Sequence, residues 1–292
     1  MIDTHVHHFD LQRFHYPWLD GPDVQELRHD YLPEQFRVDV GGLHLEGWVH
    51  VQAEVDHAAD PVLETEWISD LGRQASAADV TGPLACVVFA DLRSAHLERV
   101  LERQCAHPLT RGVRQEVWCD PESTRADIPR EDMLSDPAWV RGYRRLADFG
   151  LSFDLLAFPR QLQQAAEIFA DMPDVPVVLD HFGVPDRDSD PGLETWRAGA
   201  AALAELPHAH VKLSGLSMLG TPRTAERARP VISELLGLFG PRRCMFGSNF
   251  PVEHPAGDYP SMYEVFLDAL GDLSAADREA VLSGTARRFY RL

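Results

Sequence analysis

The sequence predicts a single-domain α/β fold, a (β/α)8 TIM-type barrel running over residues 1–292, and three observations predict it. Short β-branched or apolar runs alternate with longer stretches of helical periodicity, the pattern of repeated βα units. Counting finds eight such runs. The length of 292 residues suits one barrel as well as two smaller domains, and no G-x-G-x-x-G follows any run to support a dinucleotide-binding sheet.

The first strand ends near His7 in MIDTHVH. The second is Leu45 to Glu54, the third Leu84 to Asp91, and the fourth Thr110 to Val117. Leu151 to Phe158, Val175 to His181, His210 to Leu216 and Arg243 to Phe250 complete the set. Between them, apolar residues recur at helical spacing in Asp136–Phe149, Arg160–Ala170, Leu193–Leu206 and Arg227–Phe239, and Ala275–Tyr290 reads as a closing helix. The charged run Arg141–Arg145 reads as a solvated helix face. Pro-containing stretches at Asp120–Pro129 and Val184–Pro191 read as loops after the fourth and sixth strands.

Composition narrows the partners. Forty-six acidic residues against 27 basic ones give a formal charge of -19, which repels phosphate backbones and anionic bilayers. A small-molecule substrate is therefore expected, with neither nucleic acid nor membrane as partner; assembly into a homo-oligomer is compatible with this composition. Asp3 interrupts the apolar start and no apolar run approaches the ~18 residues of a membrane span, so no signal peptide or anchor is expected. Cys86, Cys105, Cys119 and Cys244 form no C-x-x-C pair and read as reduced core thiols of a cytoplasmic protein.

The most informative segment is the start itself. Strand side chains repeat every two residues, so His5 and His7 face one way and His8 the other. Two imidazoles at that spacing form one edge of a divalent metal site. Polar residues recur where a barrel places its chemistry, at the C-terminal strand ends: Glu54, Arg114 with Glu116, His181 and Asn249. Alternation puts Val177, Leu179 and His181 on one face with Asp180 on the other, and groups Met245, Gly247 and Asn249.

Taken together, DTHVH, GVRQ (Gly112–Gln115), LDHFGVP (Leu179–Pro185), VKLSGL (Val211–Leu216) and MFGSNFPV (Met245–Val252) resemble the amidohydrolase superfamily. Within it the chain is similar to the amidohydrolase-2 group, which includes sugar-lactone and dicarboxylate-lactone hydrolases. The likeness continues through PWL (Pro17–Leu19) and DYLPEQF (Asp30–Phe36) to ARRFYRL (Ala286–Leu292). It implies a hydrolase in which His5, His7 and His181 surround the reacting centre, with or without a bound ion, zinc or manganese, since members of the group differ on that point.

One departure bears on mechanism. The group usually carries aspartate after the eighth strand, in a G-S-D-W-P run, where this chain has Gly247-Ser248-Asn249-Phe250-Pro251. A carboxamide binds metals poorly and cannot act as a base near neutral pH. A second departure is Gly284-Thr285-Ala286, where relatives often carry Asn before Ala; a helix N-cap explains either form. The catalytic candidates are His181, Asn249 and Glu54; the substrate-binding candidates are Arg114, Gln52 and Trp18; the metal candidates are His5, His7 and His181. The alternative for Arg114 is a structural ion pair with Glu116 or Asp154. Trp48, Trp118 and Phe182 read chiefly as core. The expected reaction is opening of a lactone by an activated water. Two other readings stay open: a metal-dependent nonoxidative decarboxylase and a barrel that binds without turnover.

Overall fold

The computed structural model describes residues 1–120, 131–185 and 190–292. Eight parallel strands follow one another around a barrel in sequence order. They are β1 (Ile2–Val6), β2 (Gly47–Val51), β3 (Pro83–Val88), β4 (Thr110–Val113), β5 (Ser152–Leu155), β6 (Val177–Leu179), β7 (Ala209–Leu213) and β8 (Cys244–Phe246). The seam between first and last is closed just past the strand ends: Val6 bridges Phe250, His7 N–H donates to the Phe250 carbonyl at 2.8 Å and Asn249 N–H to that of His5 at 2.8 Å.

Helices cover the outside: α1 (Pro33–Val40), α2 (Val62–Ala77), α3 (Leu97–Cys105), α4 (Pro137–Arg145), α5 (Leu162–Ala170), α6 (Asp190–Ala204), α7 (Ala225–Phe239) and α8 (Tyr259–Leu270). The C-terminal helix starts as α9 (Ala275–Glu279), passes through a π turn (Ala280–Gly284) and ends as α10 (Thr285–Tyr290). Gly284 and Thr285 therefore lie inside one continuous helix rather than at an N-cap; the Thr285 hydroxyl donates to the Pro241 carbonyl instead.

Period-2 alternation divides the strands between two cores. Val49, Val51, Ala85, Val87, Val178 and Met245 form an inner cluster. Their neighbours Trp48, Cys86, Val177, Leu179 and Phe246 join the larger core beneath the helices. Phe289 and Tyr290 belong to the inner cluster. Next to them, Arg291 donates to the carbonyls of Arg111 and Gly150 beside the starts of β4 and β5, so α10 plugs the N-terminal end and leaves the C-terminal end for chemistry.

All eight expected strands are present, but most end two to four residues earlier than the apolar runs suggest. The residues beyond the ladder leave the extended region: Glu54, His181 and Asn249 have φ of 56°, 51° and 68°. A left-handed residue breaks the period-2 pattern, and side chains held there are a sign of local constraint at a site. The loop expected to run to Pro191 gives way to α6 at Asp190; most of Asp120–Pro129, and residues 186–189, lie outside the described residues. Cys86, Cys119 and Cys244 are buried, but Cys105 is exposed, since it closes α3 on its solvent side. No helix among the described residues is long and apolar enough to cross a membrane.

Candidate active site

His5 and His7 converge as their spacing requires. Their Nε2 atoms lie 3.2 Å apart and the ring centroids 4.9 Å apart. His8 faces away, stacked on His50 and packed against Trp48. Two glycines admit the rings. A Cβ on Gly247 would sit 2.9 Å from His5 Cβ, and one on Gly215 would sit 3.0 Å from His181 Nδ1 in a backbone already at φ 73°. Asp3 fixes the entry by accepting from the N–H groups of His5 and Ser248 and from the Tyr259 hydroxyl at 3.1, 2.8 and 2.9 Å.

His181 comes from the turn after β6 and places its ring 4.4 Å from that of His5. Its Nδ1 is hydrogen-bonded to Ser214 Oγ at 2.9 Å. Burial, reinforced by the charges of Lys212 and Arg114, holds the pKa of His5 well below the usual imidazole range. Burial and the neighbouring His5 do the same for His7, and burial brings His181 down to about 4. All three are neutral at pH 7, the form in which an imidazole can ligate a metal or exchange a proton. His7 Nδ1 meets the Val51 carbonyl at 2.8 Å; a carbonyl only accepts, so Nδ1 carries the hydrogen and Nε2 the lone pair.

Alternation assigned Asp180 to the face opposite His181, and the structure corrects this. Because His181 sits at positive φ, the chain turns there, and Asp180 and His181 both enter the site. Asp180 Oδ1 lies 3.5 Å from His5 Nδ1 and 3.2 Å from Lys212 Nζ. Lys212 and Asp154, from β7 and β5, form a wholly buried ion pair. None of the three was expected in the site: Asp180 was lost through the parity error, Lys212 because it lies mid-strand, where a charge is normally excluded, and Asp154 was weighed only as a structural partner for Arg114. The signal was a lysine between the apolar residues Val211 and Leu213 of a buried strand.

Arg114 is 3% exposed. One Nη donates to the Gln52 carbonyl at 2.7 Å and lies 3.6 Å from Glu116 Oε1; Asp154, its other candidate partner, is held by Lys212 instead. Its Nε has no hydrogen-bond partner among the described residues. Gln52 braces the neighbouring turn, donating to Glu54 Oε1 and accepting from the Glu54 N–H at 2.7 Å. Glu54 also pairs with His57 Nε2 at 2.9 Å. Burial would raise its pKa, but the bond from His57 and the charge of Arg114 outweigh that and keep it low. Glu116 goes the other way: burial and the nearby Glu54 charge push it up to about 8 against the pull of Arg114. Asn249 is buried beside the β1–β8 seam. Trp18 stands behind the β2 turn, its indole N–H donating to the Ala53 carbonyl at 2.9 Å, packed on Phe9, which in turn stacks on His7. Trp48 and Phe182 are core residues, and Trp118 stacks on Phe158.

The residues suit a divalent ion in two respects. The 3.2 Å separation of the paired Nε2 atoms approaches the edge of about 3.3–3.4 Å spanned by two ligands in tetrahedral zinc with bonds of 2.0–2.1 Å. Asp180 is a fully buried carboxylate whose oxygens accept no aligned hydrogen bond among the described residues, and it groups with His5 and His181 as a three-ligand cluster.

Comparison with known proteins places this arrangement. Residues 2–292 match the family described as amidohydrolase. L-fucono-1,5-lactonase of Burkholderia multivorans is 33% identical over all of this chain and 96% of its own length. L-rhamnono-gamma-lactonase of Scheffersomyces stipitis is 26% identical over all of this chain and 98% of its own. The crystal structure of a zinc-bound amidohydrolase from Burkholderia multivorans superposes with a TM-score of 0.80 at 30% identity, covering all of this chain and 99% of that one.

Proposed function

Because the chain belongs to the amidohydrolase family, we propose that it is a hydrolase of carboxylic esters that opens a lactone of a sugar acid or a related polar acid. The observation that carries this reading is the convergence of three neutral imidazoles with a buried guanidinium whose Nε has no partner among the described residues. Lactone opening needs a positioned water, a proton acceptor and cationic or N–H donors for the oxyanion. The relatives named as lactonases support the substrate class.

In this mechanism a water lies among His5, His7 and His181 and adds to the lactone carbonyl carbon. His181, with Nδ1 held by Ser214, accepts the water proton at Nε2, a task that the Asn249 carboxamide cannot perform. Arg114 and the Asn249 amide donate to the carbonyl oxygen as it becomes anionic. The ring C–O bond then breaks, and Glu116, protonated near pH 7, returns a proton to the departing alkoxide. Glu54 stays ionised and orients His57 and Gln52. His5 and His7, with Asp180 beside them, would hold a divalent ion such as zinc, which when bound supplies Lewis-acid polarisation; His181 would complete that set only by giving up the lone pair it uses as base.

A panel of sugar-acid and dicarboxylate lactones assayed by pH-stat tests the proposal. Acid release without CO2 evolution is expected, with kcat falling by about 10²–10⁴-fold in His181→Ala. No turnover across the panel with zinc- or manganese-replete enzyme, or an unchanged His181→Ala, would overturn it. Elemental analysis of enzyme purified without added metal or chelator reads the ion directly, and its content should be lost in the His5→Ala/His7→Ala double variant.

A further inference from the structure

Behind the imidazoles lies a second polar layer, of which the chemistry above uses only Asp180. Lys212, Asp154, Asp180 and Tyr290 are each fully buried. The Lys212 ammonium donates to Asp154 Oδ2 and reaches His5 Nδ1 at 3.2 Å. The Tyr290 hydroxyl donates to the same Asp154 oxygen at 3.1 Å. An ammonium has three donors and no lone pair, so the ring nitrogen it meets must accept. Asp180 Oδ1 is the competitor for that nitrogen, but it stands 3.5 Å away without aligned geometry, outside the usual N–H···O range.

We propose that Lys212 is a positioning residue that holds His5 in its Nε2–H form. A neutral imidazole carries one hydrogen. With Nδ1 accepting from Lys212, that hydrogen sits on Nε2 and points at His7 Nε2, 3.2 Å away, whose lone pair is free because His7 Nδ1–H is committed to the Val51 carbonyl. The chain Lys212 to His5 to His7 to Val51 then satisfies every donor and acceptor along it. His5 therefore offers the resting site a hydrogen rather than a lone pair. For a divalent ion to bind at Nε2 that hydrogen must move to Nδ1, which breaks the bond from Lys212 and turns an N–H toward Asp180, so Lys212 sets how readily this histidine pair takes up metal. The inference rests on the proposed role of the imidazole cluster but not on the substrate class.

The test is a long-range 1H–15N correlation spectrum of histidine side chains in chelator-treated 15N-labelled enzyme at neutral pH, with His5 assigned by His5→Gln. Wild-type His5 is expected as the Nε2–H tautomer. In Lys212→Met it should switch to Nδ1–H, donating to Asp180. Zinc binding by calorimetry should then tighten by about 10- to 100-fold, the span over which outer partners shift metal affinity. Wild-type His5 found as Nδ1–H, or an unchanged tautomer in folded Lys212→Met, overturns the proposal. Should Lys212→Met fail to fold, the wild-type spectrum and that of Asp180→Asn decide: Asp180→Asn leaves the tautomer unchanged if Lys212 sets it, and changes it if Asp180 does. None of these readouts uses a substrate, so failure here is distinct from failure of the lactone panel.

Discussion

The floor and the rim of the barrel mouth are built from opposite materials. The floor is three imidazoles, sealed from water and neutral because burial penalises their charged form. The rim is two carboxylates, Glu54 and Glu116, with 22% and 19% of their side chains exposed, the first paired with His57 and the second 3.6 Å from the Arg114 guanidinium. Burial pushes the pKa of both upward, but Glu54, supported by His57, keeps its charge, while burial and that neighbouring charge let Glu116 keep a proton to about pH 8. The contrast teaches that burial neutralises groups of opposite acidity in both layers, aided below by the cations Lys212 and Arg114 and above by the Glu54 anion.

If the floor performs the bond-making step, His181→Gln should lower kcat by about 10²–10⁴-fold, whereas Glu54→Gln at the rim should cost far less in kcat; equal losses would erase the distinction. Arg114 joins the two layers. Arg114→Lys keeps the charge but loses the planar fork, and kcat is expected to fall by about 10²–10³-fold; a loss confined to KM would make it a binding group only. Gly247→Ala presses a methyl against His5 and Ser214. It should destabilise the protein by about 1–3 kcal/mol, read as a lower midpoint in denaturant with weakened activity at the floor. A wild-type midpoint would mean that the seam yields without strain.

The smallest expected effect concerns the rim and pH. Folded Glu116 holds its proton to about pH 8, raised from 4.5, so between those values the folded state binds more protons than the unfolded chain and stability falls as pH rises. His181 acts oppositely: its folded pKa of about 4 lies below 6.5, so its contribution rises with pH across that interval. Glu116→Gln removes only the first effect, so its Tm advantage over wild type should grow between pH 5 and pH 8. A constant difference would show Glu116 ionised in the fold.

Much of this was legible in the residues, for a local reason. His5 and His7 needed only the two-residue period of a strand, and the eight strands needed only runs long enough to be recognised. Where the chain leaves regular backbone, the same rule fails. Alternation misplaced Asp180 because His181 adopts a positive φ that no period encodes, and it extended the apolar runs past their ladders for the same reason at Glu54 and Asn249. Arg114 was found by its place after β4, but its partner was left between Glu116 and Asp154, and only packing settles that choice.

The sequence by itself determined the barrel, the facing pair of imidazoles and the carboxamide where the family usually carries a carboxylate, since each is a matter of residue type and short-range spacing. Only the tertiary structure decided that Lys212 and Asp154, from separate strands, meet behind His5, and that Tyr290, from the closing helix, reaches them through the barrel floor. A hydrogen bond between residues 207 positions apart depends on how the sheet closes, and closure is a property of the whole chain.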